Sequence, residues 1–250
     1  MKLQLFRNAT IKLDYAGRTV LVDPYLAARH SLPSFTGRSP NPMTELPASI
    51  DDILKDVELV MVSHLHTDHF DAVARERVAK HLPLVCRPGD ESTIAEAGFT
   101  DVRPLLDVLD WNGLVFTRRE ASHGLGPVVG KMGPVMGFTL EAQGEPRVYW
   151  AGDTVLYPPV AETIAAAAPD IVVTHSCGAR WDGDLIVMDA EQTIATCELA
   201  NDARVVAVHM EALDHATVTR ADLRRAAEAR NIEAMRLVIP EDGGILTFLR

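Results

Sequence analysis

Short runs of apolar or alternating residues, each bounded by turn-forming residues, recur along the whole chain and predict β-strands. The run Leu59–Val62 is apolar at all four positions, which is typical of a buried strand. Ala16 and Gly17 supply a turn between two of the early runs. Strands are predicted at residues 3–6, 9–15, 18–23, 59–62, 84–87, 101–106, 114–120, 137–141, 147–151, 171–174, 204–208, 235–239 and 246–249.

Helix signals lie between many of these runs. Ser49 and Asp71 stand where a polar side chain caps a helix start, and Pro83 and Gly98 follow predicted helix ends. Helices are predicted at 50–55, 71–81, 90–97, 160–168, 190–200 and 220–230. Strands fill the beginning and then alternate with helices, so the fold class is α/β, with sheets covered by outer helices. No linker divides the chain, and one domain over residues 1–250 is predicted.

The segment 31–47 shows neither the strand pattern nor the helix pattern. It carries Pro33, Pro40, Pro42 and Pro47 together with Gly37, so regular structure is not expected there. A long irregular segment inside a compact domain is usually functional or disordered. Two interpretations stay open, a flap over a functional site and a surface excursion.

Composition narrows the function. The chain has 250 residues and a formal net charge of −11, which argues against a nucleic-acid partner because phosphate backbones require a basic face. The first residues lack an apolar core of signal-peptide length, and no run is long enough to span a membrane. Three cysteines, an odd count with wide spacing and no CxxC pair, favour reduced, buried thiols and a cytoplasmic location. They are Cys86, Cys177 and Cys197.

Three imidazoles and one carboxylate lie within six positions directly after the strand at 59–62. Imidazole and carboxylate together suit zinc, iron or manganese. In an extended segment alternate side chains share a face, so His69 requires the chain to turn. We therefore expect the group to be divided between two adjacent ions, which need further ligands. The group is His64, His66, Asp68 and His69.

Three later residues also follow apolar strands, namely His123, Asp153 and His209. Each alone has another explanation, a helix cap for Asp153 and a hydrogen-bonded strand-end histidine for the other two. His215 competes with His209 as a ligand, although His209 leaves its strand directly and is preferred. His175 also ends a predicted strand and is interpreted as a pocket-wall or buried hydrogen-bonded residue. Asp23 is either a group that orients the ligand loop or a turn residue.

The order of these residues resembles the metal motif of the metallo-β-lactamase fold superfamily, HxHxDH followed by a distant His, an Asp and a final His. The resemblance implies a four-layer αββα sandwich of two mixed sheets with helices outside. It also implies that His64, His66 and His123 bind one ion, that Asp68, His69 and His209 bind a second, and that Asp153 bridges both. Segments 20–24, 41–42 and 152–154 look like the lactonase-like branch that contains ascorbate-6-phosphate lactonase.

The chemistry expected of such a site is hydrolysis by a metal-bound hydroxide. Two divalent ions are predicted, with zinc preferred and manganese or iron as alternatives. The favoured substrate is a small ester-like molecule, a lactone first. Lys131 lies in the Gly-rich segment 124–133 and favours an anionic substrate if its side chain faces the site. The alternative is that this segment is a flexible surface loop. Asp68 is expected to orient the hydroxide, and His175 and His215 are candidate proton donors.

Other functions remain open for this motif. A phosphodiesterase or nuclease shares it, although the acidic balance disfavours RNA. A glyoxalase-II-like thioesterase fits less well, because Asp71 stands where that branch has glycine. A non-catalytic metal-binding protein would have two closed ligand shells. The sequence carries no signal for a membrane partner or for an oligomeric state.

Overall fold

The structure is a computed structural model that describes residues 1–249. Its first sheet has seven strands, antiparallel at one side and parallel from β3 to β6. In spatial order these are β16 (Ile245–Thr247), β1 (Lys2–Arg7), β2 (Thr10–Tyr15), β3 (Arg18–Val22), β4 (Leu59–Val62), β5 (Leu84–Cys86) and β6 (Val102–Pro104).

The second sheet also has seven strands and is also mixed. The strands from β10 through β11 and β14 to β15 are parallel, and those on the β7 side are antiparallel. In spatial order these are β15 (Leu237–Val238), β14 (Arg204–Val208), β11 (Ile171–His175), β10 (Val148–Trp150), β9 (Gly137–Glu141), β8 (Leu114–Arg119) and β7 (Val108–Trp111).

Helices cover the outer face of each sheet. The bounds are α1 (Ile50–Leu54), α2 (Ala72–Arg77), α3 (Glu91–Glu96), α4 (Val128–Met132), α5 (Pro158–Ala167), α6 (Ala190–Leu199) and α7 (Arg220–Ala229). The side chains of Ser49 and Asp71 accept hydrogen bonds from the first turns of α1 and α2, so both predicted caps are confirmed.

Alternation along the strands produces the layers. In β4, Leu59 and Met61 point into the core between the two sheets, where they join residues of the second sheet such as Phe138. Val60 and Val62 point the other way, into a core shared with α1, α2 and α3. A third core joins the second sheet to α5, α6 and α7. The predicted αββα sandwich is therefore confirmed.

Several elements differ from the expectation. The predicted helix 71–81 ends at Arg77, because Val78 is extended and buries its side chain among the apolar residues under α2. The strand β7 was not predicted, nor was the two-stranded hairpin β12 (Arg180–Trp181) and β13 (Asp184–Leu185). Short elements of this kind carry too few residues to show a period. Among residues 1–249, no helix has the length and apolar character needed to cross a membrane.

Candidate metal centre

The predicted ligands converge where the two sheets meet at the carboxyl ends of their parallel strands. Asp23 follows β3 and the 64–69 loop follows β4 in the first sheet. From the second sheet, Asp153 follows β10 and His209 follows β14. Ends of parallel strands are the usual place for a site, since the loops there face one another.

One group of donors consists of His64, His66, His123 and Asp153, whose ligand atoms lie within 4.8 Å of one another. His123 Nε2 is 3.3 Å from Asp153 Oδ2, and His64 Nε2 is 3.8 Å from the same oxygen. Only His66 in this group is more than slightly exposed. The group contains three imidazoles and one carboxylate, a set that suits a divalent transition metal.

A second group shares Asp153 and adds His69, His175 and His209. His69 Nε2 lies 3.2 Å from His209 Nε2 and 3.3 Å from Asp153 Oδ2. Asp68 Oδ2 lies close to both of these histidines, 3.1 Å from His209 Nε2 and 3.4 Å from His69 Nε2. Since Asp153 belongs to both groups, the structure brings all seven predicted ligands together around one carboxylate.

These spacings fit metal coordination. Tetrahedral zinc with bonds of about 2.0–2.1 Å has ligand atoms about 3.3 Å apart. The separations of 3.3 Å at Asp153 Oδ2 from His69 and from His123 match that edge. His64 Nε2 is buried and has no hydrogen-bond partner among residues 1–249. A buried polar atom without a partner is costly unless a ligand satisfies it, so the donor set fits a bound cation.

Backbone carbonyls hold the outer nitrogens of two histidines. His66 Nε2 is 2.8 Å from the Met132 carbonyl oxygen at the end of α4, and His123 Nδ1 is 2.7 Å from that of Ile186. A carbonyl only accepts, so each ring donates this proton and leaves its other nitrogen as an acceptor. Outer-sphere bonds of this kind fix the tautomer and orientation of metal-binding histidines.

The carboxylate of Asp23 fixes the orientation of His69 directly and that of His64 through Ser63. It accepts hydrogen bonds from Ser63 N at 2.7 Å, from Ser63 Oγ at 2.6 Å and from His69 Nδ1 at 2.9 Å. Ser63 Oγ is in turn 3.0 Å from His64 Nδ1. Asp23 is therefore a group that orients the ligand loop, in addition to ending β3.

Three supporting residues had no sequence signal. Asn8 Nδ2 donates to the Asp68 backbone oxygen at 3.0 Å and to Oδ2 at 3.3 Å. His209 has a positive φ of 62°, and its backbone N–H donates to the Asn8 carbonyl at 2.8 Å. Cys177 Sγ lies 3.4 Å from His209 Nδ1. The third is Gly178, where a Cβ atom would lie 2.7 Å from Val218. All depend on contacts between distant segments.

The charges in the site are mutually compensating. Burial raises the pKa of Asp68 and of Asp153, but the neighbouring His69 and His209 outweigh it and hold both well below the ordinary value. The same contacts raise the pKa of His69 and His209 against the effect of burial. Burial lowers the pKa of His64 well below its usual range. Ionised carboxylates and neutral imidazole are the forms that bind metals, so an ion would displace the protons that the carboxylates favour on His69 and His209.

His175, one of the candidate proton donors, is fully buried. Its Nδ1 lies 2.5 Å from Asp153 Oδ1, and burial lowers its pKa to about 4. The ring packs edge-on to Trp150 with centroids 5.1 Å apart. It does not line the cavity beside the donors. The interpretation as a buried hydrogen-bonded residue therefore describes its position, behind the shared carboxylate.

A cavity of about 330 Å³ opens onto the donors. His66, Asp68, His123 and Asp153 are among its lining residues, together with His215. His215 Nδ1 is buried without a hydrogen-bond partner among the described residues. This candidate proton donor therefore faces the cavity, whereas His209 belongs to the donor groups.

The segment 31–47 covers part of this cavity. Phe35 lines it and packs edge-on to His215, with ring centroids 4.9 Å apart. The segment is irregular, apart from a single bridge between Leu32 and Asn41. The position of Phe35 favours the interpretation as a flap, the name kept for this segment, over that of a free surface excursion.

The Gly-rich segment 124–133 is not a flexible loop throughout, because residues 128–132 form α4. Lys131 lines the cavity, but its ammonium group lies 2.7 Å from the Asp182 carboxylate in the β12–β13 turn. Both side chains are exposed. Lys131 therefore connects α4 to the hairpin, and its charge is already paired.

The fold and the two donor groups define a metal-binding αββα protein. Residues 18–210 match the beta-lactamase superfamily domain, and the chain belongs to that superfamily. It is 33% identical to the UPF0173 protein YddR of Bacillus subtilis over 99% of this chain and all of that protein. It is 24% identical to the UPF0173 metal-dependent hydrolase MJ1163 of Methanocaldococcus jannaschii, over 95% and 96% of the two chains.

Two solved structures are similar over the full length. One is a possible metal-dependent hydrolase from Veillonella parvula, with a TM-score of 0.95, 33% identity and 99% of each chain covered. The other is an isothiocyanate hydrolase from Delia radicum gut bacteria, with a TM-score of 0.95, 33% identity and complete coverage of both chains. The protein is therefore a metal-dependent hydrolase of the metallo-β-lactamase fold, which implies a small-molecule substrate.

Proposed function

We propose that this protein hydrolyses a small electrophilic molecule at a centre of two divalent ions, and that an isothiocyanate is its substrate. The observation that supports this proposal is the orientation of the histidine rings at the site. Each ligand histidine has one nitrogen engaged by the protein or adjacent to another site residue, and the other directed at the shared Asp153 carboxylate or the cavity. Ions bound there would lower the pKa of water towards about 7 and would supply hydroxide at neutral pH.

The ligands would divide between the ions as the resemblance implies. His64, His66 and His123 would hold one ion, and Asp153 would contribute to both. For the second ion we assign Asp68 with His69 and His209. His175 belongs to the same donor group, and because its Nδ1 contacts Asp153 Oδ1 at 2.5 Å, we assign it the role of orienting that carboxylate.

Zinc is the proposed metal, because imidazole nitrogens predominate among the donors. Manganese and iron bind similar sets and are the alternatives. Elemental analysis of protein purified without chelators tests both the metal and the number of ions. One ion per chain would contradict the two-ion proposal, and a metal other than zinc would contradict only its identity.

The cavity and the similar hydrolase support the proposed substrate. Water adds to the central carbon of R–N=C=S, and the product R–NH–C(=O)–SH divides into the amine R–NH2 and carbonyl sulfide. The leaving nitrogen gains a proton in this reaction. His215 lines the cavity, and we assign it as the group that delivers the proton. Asp68, held by Asn8, orients the attacking water.

Two features support this substrate over the others. The similar isothiocyanate hydrolase matches the whole chain at 33% identity. The cavity of about 330 Å³ suits a small molecule, since ligand pockets span about 300–1,000 Å³. A polynucleotide requires an open groove with a basic lining, and the one lysine of the cavity, Lys131, is paired with Asp182.

Release of amine from metal-loaded protein tests the function directly. The assay compares alkyl and phenylalkyl isothiocyanates with γ-lactones, because the lactonase-like resemblance makes lactones the alternative. We expect isothiocyanate turnover that falls by at least about 10²-fold in His66→Ala. His81→Ala is the matched control, since His81 is exposed and belongs to neither donor group. Lactone turnover without isothiocyanate turnover would contradict the proposed substrate.

A further inference from the structure

The lining of the cavity beside the metal donors contains two chemically different sets of residues. His66, Asp68, His123, Asp153 and His215 belong to the polar set. The apolar set consists of Phe35, Leu65, Met132, Trp181 and Ile186. These five residues are called the apolar wall below. A polar reactive end and an apolar wall are the arrangement by which pockets orient small ligands.

Trp181 belongs to a supported part of the wall. It pairs with Asp184 across the β12–β13 hairpin and packs, with Met132, against the buried cluster that contains Ile186. The ion pair between Lys131 and Asp182 joins the hairpin to α4. The indole is half-buried on this support, so its remaining surface is available to a molecule in the cavity.

Phe35 completes the wall from the flap, although 39% of its surface is exposed. The carboxylate of Asp214 holds the backbone on each side of this ring. It accepts from Phe35 N at 2.9 Å and from Thr36 N at 3.0 Å. It also accepts from Asn41 Nδ2 at 3.0 Å. A large apolar ring fixed in this way but left exposed is suited to contact with a ligand.

We propose that the apolar wall is the subsite for the hydrocarbon substituent of the substrate, with Trp181 and Phe35 as its specificity-determining residues. The substrate class is then a molecule with a small polar electrophile at one end and a phenylalkyl or medium alkyl group at the other. A cavity of about 150 Å³ accepts benzene, so about 330 Å³ holds a phenyl ring and a short reactive head. The direction of the substrate rests on the proposed function, because the metal donors fix the reactive end.

Two hydroxamic acids test the subsite without catalysis. Acetohydroxamic and 3-phenylpropionohydroxamic acid share one metal-binding head and differ in the tail, so the ratio of their Kd values isolates the tail. Calorimetric titration of the metal-loaded protein should show the phenyl compound binding about tenfold or more tightly. We expect Trp181→Ala and Phe35→Ala each to reduce that ratio to about threefold or less.

Arg180→Ala is the matched control, because it truncates a large exposed neighbour of Trp181 that does not line the cavity. Its ratio should equal that of the unmodified protein. Thermal unfolding verifies that each variant is folded, and the Phe35 variant tests the proposal even if the hairpin of the Trp181 variant is disturbed. A ratio near one in the unmodified protein, or one unchanged in both variants, would overturn the subsite.

Isothiocyanate kinetics separate this inference from the proposed function. If the tail ratio falls in the variants but no isothiocyanate is hydrolysed, the subsite stands and the substrate proposal fails. If isothiocyanates are hydrolysed but the variants keep the full preference for phenylalkyl over methyl compounds in kcat/KM, the proposed function stands and the subsite fails.

Discussion

The imidazole of His69 donates a hydrogen bond to the carboxylate of Asp23, with Nδ1 2.9 Å from Oδ2 and neither side chain exposed. The same carboxylate accepts from Ser63 N and Ser63 Oγ, and Ser63 Oγ contacts His64 Nδ1. One buried acid at the end of β3 thus orients a proposed ligand of each ion. Residues in this outer position affect metal affinity without touching the metal.

Replacing Asp23 by Asn should therefore lower metal affinity about 10- to 100-fold. The amide removes one acceptor from the Ser63 and His69 hydrogen bonds. Asn tolerates the positive φ of 44° at this position, so the backbone is not an added cause. Competition with a chromophoric chelator measures the affinity. Asp14→Asn on the exposed side of β2 is the matched control, and equal affinities in both variants would contradict the role of Asp23.

Metal binding should raise the thermal stability of the protein. Saturation of one metal site at about 1,000 times Kd adds about 4 kcal/mol to the free energy of unfolding. For a chain of this size, about 1 kcal/mol corresponds to about 2–4 °C, so Tm should rise by about 8–16 °C for each ion bound. Calorimetry with and without metal measures the rise. We expect less than half of it in His123→Ala and all of it in His30→Ala, whose ring is exposed. An undiminished rise in the His123 variant would exclude this residue as a ligand.

The elements that sequence analysis found share a strong local signal. The strand Leu59–Val62 is buried at all four positions, and the caps Ser49 and Asp71 bond to the turns they precede. The ligand loop was recognisable because four metal-binding side chains are contiguous with a strand end. At these positions the local sequence pattern and the tertiary structure favour the same secondary structure and the same burial.

The remaining parts of the site depend on contacts between segments that are distant in sequence. Asn8 reaches Asp68 across sixty positions, and Cys177 reaches His209 across thirty-two. Trp181 lies in a hairpin with two residues in each strand, which is too short to show alternation. No local preference identifies these residues, because their roles arise only when the two sheets meet.

Asp214 should stabilise the flap only in its ionised form. Burial raises the pKa of this carboxyl, but hydrogen bonds from Ser34, Thr36 and Asn41 outweigh it and hold the pKa well below the ordinary value. A lowered folded-state pKa gives stability that is present above the unfolded pKa of about 3.9 and is lost as pH falls through the folded value. Asp214→Asn should thus cost about 2–4 kcal/mol at pH 7, since bonds to a charged group contribute about 1.5–3 kcal/mol each.

Urea unfolding of the metal-free proteins at pH 7 and at pH 3 measures that effect. The difference between the unmodified protein and the variant should shrink at the lower pH, where the unfolded chain binds a proton that the folded carboxylate resists. Asp51→Asn is the control, because Asp51 is exposed and should change stability by less than about 0.5 kcal/mol at either pH. A difference that does not vary with pH would show that the charge of Asp214 is not what holds the flap.

Gly152 should be required for the position of Asp153, the carboxylate shared by both donor groups. It has a positive φ of 74°, and a Cβ atom there would lie 2.8 Å from the Met136 carbonyl oxygen, a backbone atom that cannot rotate away. Gly144 has a similar φ of 81° but no atom within 4 Å of its Cβ position. The two glycines therefore separate backbone strain from steric overlap.

Gly144→Ala should lower the free energy of unfolding by about 1–2 kcal/mol, the cost of a left-handed residue with a Cβ. Gly152→Ala should cost about 1–3 kcal/mol more, because overlap with fixed backbone adds to that strain. Displacement of Asp153 should also weaken metal binding in the Gly152 variant alone. Urea unfolding and metal titration of both variants measure the two effects. Equal losses of stability with unchanged metal affinity would show that the loop moves aside without carrying Asp153 with it.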